Sequence, residues 1–521
     1  MVNETINETK EYIVGIDIGS STVKVSVGEK QKDGSLSVKG VEIQSVNDSV
    51  KDGSIEQIME LGKAIDAAKS ALEKELNLTL KDAYVGISGA AVSGALYEDF
   101  VYINSANNLI TESDVRDLTE RINKVTTHNN DVIIERILQR YIISDKQEVR
   151  NPVGAFGTKL SAEYLLVFCN KVQIERIKQA LFHAKLQYKG VCVNHIAQPL
   201  ALLSKEEQDE GVAIVDIGCD LTDISVVRKG KVCFFASLPI GASSINFDLA
   251  QFVSASKANI EKLKKFYGEA IAENISLDET CSVEVLGHSR KQILKRNVVE
   301  IIEERLKDIA RFTLKRLREA KLSNKIPCGV ILTGGSAYLT NIDQLFSREM
   351  NMSVRCADTL YGVDDISKDN VLTATQSVVV GVMLHGMQHT IGSEVSHTRP
   401  EVTAITPPPT QQTPPTPPIP PIPPIHQAPP TPTPTPTPPA PPVKEKDSEP
   451  GVDSKPDDNG KPEMGNTTGT PPIKEPAPTG GKPGKGRTSI NIGGTVMGWI
   501  EGISSTFDNL LGNGGNKKDY L

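Results

Sequence analysis

The 521-residue sequence predicts an α/β body made of two related halves, followed by a proline-rich strap and a short amphipathic C-terminal helix. Three observations lead there. A β-branched hairpin pattern around an Asp-x-Gly turn occurs near the start and again midway along the first 400 residues or so. Strand-like and helix-like periodicities mix between and after the two copies. And 29 of the 33 prolines fall between Pro400 and Pro483, so nearly all of them are confined to one stretch that cannot build a core.

Taken in chain order, the first copy is Tyr12 to Val27. Two apolar runs flank the turn Asp17-Ile18-Gly19-Ser20-Ser21, which reads as a β-hairpin. A helix is predicted from Ile55 to Leu76, opening after Asp52-Gly53-Ser54. Residues Val85 to Ile103 read as strand, and Thr111 to Lys124 as a helix started by Thr111-Glu112-Ser113-Asp114. The second copy, Val212 to Val227, places Asp216 and Gly218 where the first has Asp17 and Gly19. Glu300 to Leu322 is predicted as a long charged helix carrying Ile301, Ile302, Ile309, Phe312 and Leu317 on its apolar face. A short apolar strand then runs into a third turn, Thr333-Gly334-Gly335-Ser336-Ala337, expected to lead into a helix. Two matched hairpins at corresponding places suggest a duplicated architecture with a cleft between its halves.

Composition narrows the function. The net charge is −8, with 38% hydrophobic and 23% charged residues, and no basic block is present. Nucleic acid is therefore excluded as the main partner. The polar, acidic segment Met1 to Lys10 lacks the apolar core of a signal peptide, and no apolar run is long enough to span a bilayer. The seven cysteines form no Cys-x-x-Cys pair, which fits buried thiols in a reducing cytoplasm and not a disulfide frame or zinc site.

The turns carry the chemistry. Backbone N–H groups around Gly19 and Gly218 can close on phosphate oxygens, with hydroxyls from Ser20, Ser21, Thr22 and Thr222 as further donors. Lys24 belongs to the same hairpin. Carboxylates do not bind phosphate, so Asp17 and Asp216 are expected to hold a Mg²⁺ and its waters, which neutralise the phosphate charge.

These hairpins, with Leu332 to Ala337, resemble the phosphate- and adenosine-binding elements of the actin-like ATPase superfamily, and within it the FtsA family of bacterial cell-division proteins. Asn151-Pro152-Val153-Gly154 and Pro239-Ile240-Gly241, running on to Asp248-Leu249-Ala250, match motifs of that family. Glu261-x-x-Lys264-x-x-Tyr267-Gly268 resembles its segment reaching the ribose and adenine side. The resemblance covers about residues 11 to 390. It implies an actin-like two-lobed fold, with ATP and Mg²⁺ held by Asp17, Gly19, Ser20, Ser21, Thr22, Lys24, Asp216, Gly218, Thr222, Gly241, Glu261, Lys264, Gly334, Gly335 and Ser336. It also implies lobe segments at residues 11–82 and 164–395, with a small α+β subdomain inserted at 83–163 as a contact surface in filaments and with later division proteins. One departure stands out. The family's second turn reads Asp-Ile-Gly-Gly-Gly-Thr-Thr-Asp, whereas this chain has Cys219 and Asp220 at two of those glycines. An anion beside phosphate predicts weak nucleotide binding or slow hydrolysis.

Residues 396–489 are expected to be a disordered linker, part polyproline-like and part floppy, acting as a spacer. Beyond it, residues 490–515 fit an amphipathic helix. On a helical wheel Val496, Trp499, Ile500, Ile503, Phe507, Leu510 and Leu511 gather on one arc. Acids occupy the opposite face and Gly498 and Gly502 weaken the helix, so the expectation is a weak membrane anchor that holds by avidity. The resemblance then implies a peripheral protein on the cytoplasmic face of the inner membrane at the division septum. There it would assemble with itself into filaments and tether the tubulin-like FtsZ polymer. No dedicated general base is visible, so little or no ATP turnover is expected. The rivals are a phosphotransferase or ATPase of the same superfamily and a shape-determining or pilus-assembly actin relative.

Overall fold

The computed structural model describes residues 10–392, apart from 128–129, 288 and 365–371. The linker at 396–489 and the helix at 490–515, with all seven of its apolar-face residues, lie outside the described residues.

The first half opens with strands β1 (Tyr12–Ile18), β2 (Thr22–Lys30) and β3 (Leu36–Ser45), each antiparallel to the last. A small hairpin, β4 (Val50–Lys51) and β5 (Ser54–Ile55), precedes helix α1 (Ile58–Leu76). The helix thus starts three residues later than the sequence suggested. Asp52 and Gly53 both take positive φ, 49° and 77°, which is hairpin-turn geometry and not a helix N-terminus. Strand β6 (Asp82–Ile87) returns parallel to β1.

The inserted piece follows: β7 (Val92–Tyr102), α2 (Glu112–Asn123), β8 (Asp131–Ile143), β9 (Gln147–Val149) and β10 (Lys159–Asn170), sheet order β7-β10-β8-β9. Thr111 caps α2 in a reciprocal capping box with Asp114, as the sequence signature implies. Both expected boundaries move. Ala83 lies in β6, a strand of the lobe sheet, and Glu163 lies in the middle of β10.

The chain then re-enters the first half through α3 (Lys171–His183) and β11 (Gln187–Val193), completing five strands of a sheet ordered β11-β6-β1-β2-β3. Helices α4 (Asn194–Leu202) and α5 (Lys205–Glu210) lead to the second hairpin, β12 (Val212–Ile217) and β13 (Thr222–Arg228), with β14 (Lys231–Leu238) beyond. After α6 (Ala242–Val253), α7 (Lys257–Tyr267) and the hairpin β15 (Thr280–Glu284) and β16 (Arg290–Leu294) comes α8 (Lys295–Glu319). This long helix ends earlier than predicted and also begins earlier, its N-terminus carrying no side-chain cap to mark it. Strand β17 (Val330–Thr333), α9 (Ile342–Met350) and β18 (Val354–Cys356) finish a second sheet, β14-β13-β12-β17-β18. The short β19 (Val363–Asp364) joins β3 as a sixth strand of the first sheet, and α10 (Ser377–Gly392) closes the described chain.

The two large sheets, whose central strands include parallel pairs, bury residues on both faces. Apolar residues of α1 and α3, among them Leu61, Ile65, Leu72, Ile177 and Leu181, pack on β1, β2 and β6. On the opposite face Val379, Val380 and Met383 of α10 meet Ile13, Leu36 and Val38. In the second half, α6, α8 and α9 supply Ile245, Leu249, Ile302, Leu306 and Phe346 against Val215, Ile224 and Leu332. The insert is rooted in the first half yet leans on the second. Gln139 donates to the Val232 carbonyl at 3.0 Å, Lys231 donates to the Leu138 and Gln139 carbonyls at 2.8 and 3.1 Å, and Lys229 pairs with Glu148. Leu165 and Val167 of β10 share a core cluster with Val212, Ile214 and Val227. Among the described residues, no helix is long and apolar enough to cross a membrane.

Candidate functional site

The two hairpins that the sequence singled out have the same local architecture. In each, the turn glycine donates its N–H to a carbonyl three residues on: Gly19 to Thr22 at 3.0 Å and Gly218 to Leu221 at 2.9 Å. Asp17 stands cross-strand from Lys24, and Asp216 from Asp223. The first pair is a salt bridge of 2.7 Å. Burial works against the Lys24 charge, but pairing with Asp17 and the pull of Asp216 from the other half outweigh it and raise the pKa. That ammonium therefore sits in the field of carboxylates from both hairpins.

The second pair is two like charges directly opposed, an unfavourable arrangement, and the protein separates their titration. Burial works against the Asp223 charge too. His195 and hydrogen bonds from His195, Ser237 and Ser88 outweigh that burial and hold the carboxyl below its ordinary value. The Ser237 hydroxyl donates at 2.6 Å, and His195 Nε2 lies 3.3 Å from the same oxygen. Asp216 goes the other way. Burial first, then the facing Asp223, push it up to about 6, although the Gln198 amide and Lys24 favour its charge. Gln198 donates from Nε2 to Asp216 Oδ2 at 2.5 Å and to the Ser377 hydroxyl at 3.1 Å.

The third turn comes down on the same carboxylate. Gly334 has φ of +87°, and a Cβ there would lie 2.4 Å from Asp216 Oδ1 and 2.6 Å from the Ile217 carbonyl oxygen, so only glycine fits. A Cβ at Gly335, by contrast, would meet nothing within 4 Å. Beside it the Ser336 hydroxyl is buried and has no hydrogen-bond partner among the described residues. On the far side of the second turn, α6 begins at once: the Ala242 N–H donates to the Gly218 carbonyl at 3.0 Å and the Ser243 N–H to that of Cys219 at 2.7 Å. Glu261 and Lys264 of α7 pair at 2.8 Å, with Asn246 donating to Glu261 at 2.8 Å. Burial opposes the Glu261 charge, but Lys264 and Asn246 outweigh it and lower the pKa.

The structure thus joins Asp17, Lys24, Asp216, Gly218 and Gly334, and places Gly241 at the helix start behind the second turn. Glu261 and Lys264 form a pair on α7, and Ser20, Ser21 and Thr22 remain on the first turn. Thr222 is different. Its hydroxyl is fully buried and donates to the Ile240 carbonyl at 2.8 Å, so it braces the turn from behind and is not available to a phosphate. Cys219 is no reactive thiol, because burial and then Asp220 push it up to about 12. Two members escaped the sequence reading. Gln198 and His195 sit in a helix with no motif of its own, and their partners are set by tertiary contact alone.

Can these residues hold a metal nucleotide? Among the described residues no group of three or more His, Cys, Asp or Glu is close enough to bind a metal ion by protein ligands alone. Mg²⁺ in a phosphate site needs only one or two carboxylates and keeps its waters. Asp17 and Asp216 meet that description, and the Ser336 hydroxyl, without a partner among the described residues, lies beside the open side of Gly335 and meets the need of a nucleoside for a polar contact.

Two family models match the chain: "Cell division protein FtsA" over residues 213–376 and "SHS2 domain inserted in FTSA" over residues 89–168. The FtsA of Bacillus subtilis (strain 168) is 30% identical over 357 residues, 68% of this chain and 80% of that protein. The FtsA of Pseudomonas aeruginosa is 26% identical over 382 residues, 73% of this chain and 90% of its own. Among solved structures, a chain of the PilM-PilN type IV pilus biogenesis complex superposes with a TM-score of 0.51 at 15% identity, covering 72% of this chain and 98% of that one. That last likeness speaks to the fold alone.

Proposed function

Because the chain belongs to the FtsA family of cell division proteins, we propose that its actin-like body binds Mg–ATP in the cleft between its halves and polymerises. In this reading the polymer tethers FtsZ filaments to the cytoplasmic face of the membrane at the septum and helps recruit later division proteins. The observation that carries the nucleotide part is the convergence on Asp216. A hairpin carboxylate, the neighbouring glycine turn and the Lys24 ammonium from the other half all meet there. Backbone N–H groups of the two hairpin turns would hold the phosphates, with Asp17 and Asp216 taking Mg²⁺ through its waters. Gly334, Gly335 and Ser336 would take the nucleoside. Bound between the halves, ATP supplies charge that both sides can grip, which biases their closure and hence the polymer contacts.

The insert is the proposed contact surface, and the apolar arc from Val496 to Leu511 is the proposed membrane foot. Gln198 is held by Asp216 and Ser377, and this reading assigns no general base. Slow turnover or none is the expected behaviour, with ATP as a structural ligand.

Two measurements test this. Calorimetric titration of the full chain with Mg–ATP should give one saturable site, lost on Gly334→Ala and Asp216→Ala together. Deleting residues 490–521 should move the protein from the membrane to the soluble fraction and abolish septal localisation, while leaving nucleotide binding intact. A truncated protein that stays at the septum would sink the anchor.

A further inference from the structure

The second phosphate turn makes a direct bond to the opposite half. Asp220 Oδ2 accepts the backbone N–H of Asp52, at the tip of the β4–β5 hairpin, at 3.3 Å. Next to it Leu221 fills the space over two glycines of the first half. Its Cδ1 lies 3.2 Å from where a Cβ on Gly53 would be and 3.1 Å from where one on Gly89 would be. The receiving side is braced. Gln173 donates to the Gly53 carbonyl at 3.0 Å, and the Gly89 N–H donates to the Ser237 hydroxyl at 3.3 Å. That hydroxyl in turn holds Asp223 of the same turn's strand. The halves are therefore clasped at the end of the cleft where phosphate would lie, by the chain itself.

The clasp is anionic. The partners of the Asp220 carboxylate are the Asp52 N–H and the Cys219 thiol, both uncharged, and its charge reaches the Asp52 carboxyl, which burial and then Asp220 raise above its ordinary value.

We propose that Asp220 is a specificity-determining residue: it does from within the chain what a terminal phosphate would do, engaging a donor of the first half from the second, and it repels that phosphate. The cleft then closes equally well on a nucleoside diphosphate and a triphosphate. This rests on the nucleotide-binding reading above. Two effects act in the same direction. The bond to Asp52 makes closure independent of the terminal group. The carboxylate, bonded here to uncharged donors, penalises the extra negative charge that separates triphosphate from diphosphate, by several-fold at the short range and partial exposure of this turn.

The test is calorimetry on the full chain with Mg–ADP and with Mg and a non-hydrolysable ATP analogue, for the wild type, Asp220→Asn and Asp220→Gly. The wild type should hold the two ligands within about twofold of one another, and both substitutions should raise the triphosphate-over-diphosphate ratio by about five- to tenfold. The gain should shrink at high salt. A purely structural role would shift both affinities together and leave the ratio alone. If both ligands bind and the ratio is unchanged in the two variants, or if the wild type already prefers triphosphate tenfold, the role of Asp220 is refuted while the nucleotide site stands. If the folded wild type binds neither, both readings fall. Asp220→Asn keeps size and an acceptor oxygen, so it carries the test should the glycine variant fold poorly.

Discussion

Replacing Asp216 with Asn should make the nucleotide-free protein more stable and its nucleotide complex weaker. The carboxyl is half-buried at the hairpin, opposite Asp223, and burial and then Asp223 push it up to about 6 from the ordinary 3.8. A folded-state pKa above the unfolded value means that the folded protein binds the proton more tightly. Stability is therefore greatest below 3.8, falls as pH rises through the interval from 3.8 to about 6, and stays reduced above it. At neutral pH the penalty is at most about 3 kcal/mol. Asn removes the charge that incurs it and retains an oxygen for the Gln198 amide. Urea unfolding of wild type and Asp216→Asn, in chelator and without nucleotide, should show a gain approaching that figure at pH 7.5 which shrinks progressively towards pH 4. Mg–ATP affinity at pH 7.5 should fall at the same time, since the charge proposed to face Mg²⁺ is lost. A gain that is absent at pH 7.5, or equal at both pH values, would refute the reasoning. Burial and the facing Asp223 would then not be what lifts Asp216.

Two further outcomes follow from the packing. Gly334→Ala forces a carbon to within 2.4 Å of Asp216 Oδ1 at a φ of +87°; it should cost about 1–3 kcal/mol, read as a lowered thermal midpoint, and an unchanged midpoint would contradict the close approach. Arg305 donates to Asp248 Oδ2 at 2.9 and 2.7 Å with both side chains buried. Asp248→Ala, which strips the guanidinium of that counter-charge, should cost about 3–5 kcal/mol in denaturant unfolding, and Asp248→Ala combined with Arg305→Leu should recover most of it.

The hairpins were readable from sequence because their information is local. β-branched residues alternate on either side of a short glycine turn, and each strand pairs with its immediate neighbour. Thr111 was readable for the same reason, since a capping box lies within four residues. The Asp52-Gly53 tip went wrong although its signal is also local. Asp-Gly serves both helix starts and hairpin turns, and only the positive φ of both residues decides between them. The insert's edges were misplaced because β6 and β10 are apolar strands like any others, and only their partners say which sheet they join. Thr222 reads as a phosphate donor because it adjoins the turn glycine proposed to hold phosphate. Whether its hydroxyl faces the cleft or the Ile240 carbonyl depends on strand pleat and on the chain behind it. Gln198, His195 and the reach of Asp220 to Asp52 lie further still from sequence reading, since each joins segments that are distant along the chain.

The lean of the insert on the second half has a mechanical meaning. Two lobes joined along one seam form a hinge, free to swing. A third member, fixed to one lobe and resting on the other, turns the hinge into a triangle. The bonds from Gln139 and Lys231, with the Glu148–Lys229 pair, are the third side of that triangle. The lobes cannot part without shearing this strut or carrying it along. Load applied to the insert is thus delivered to the second lobe as torque.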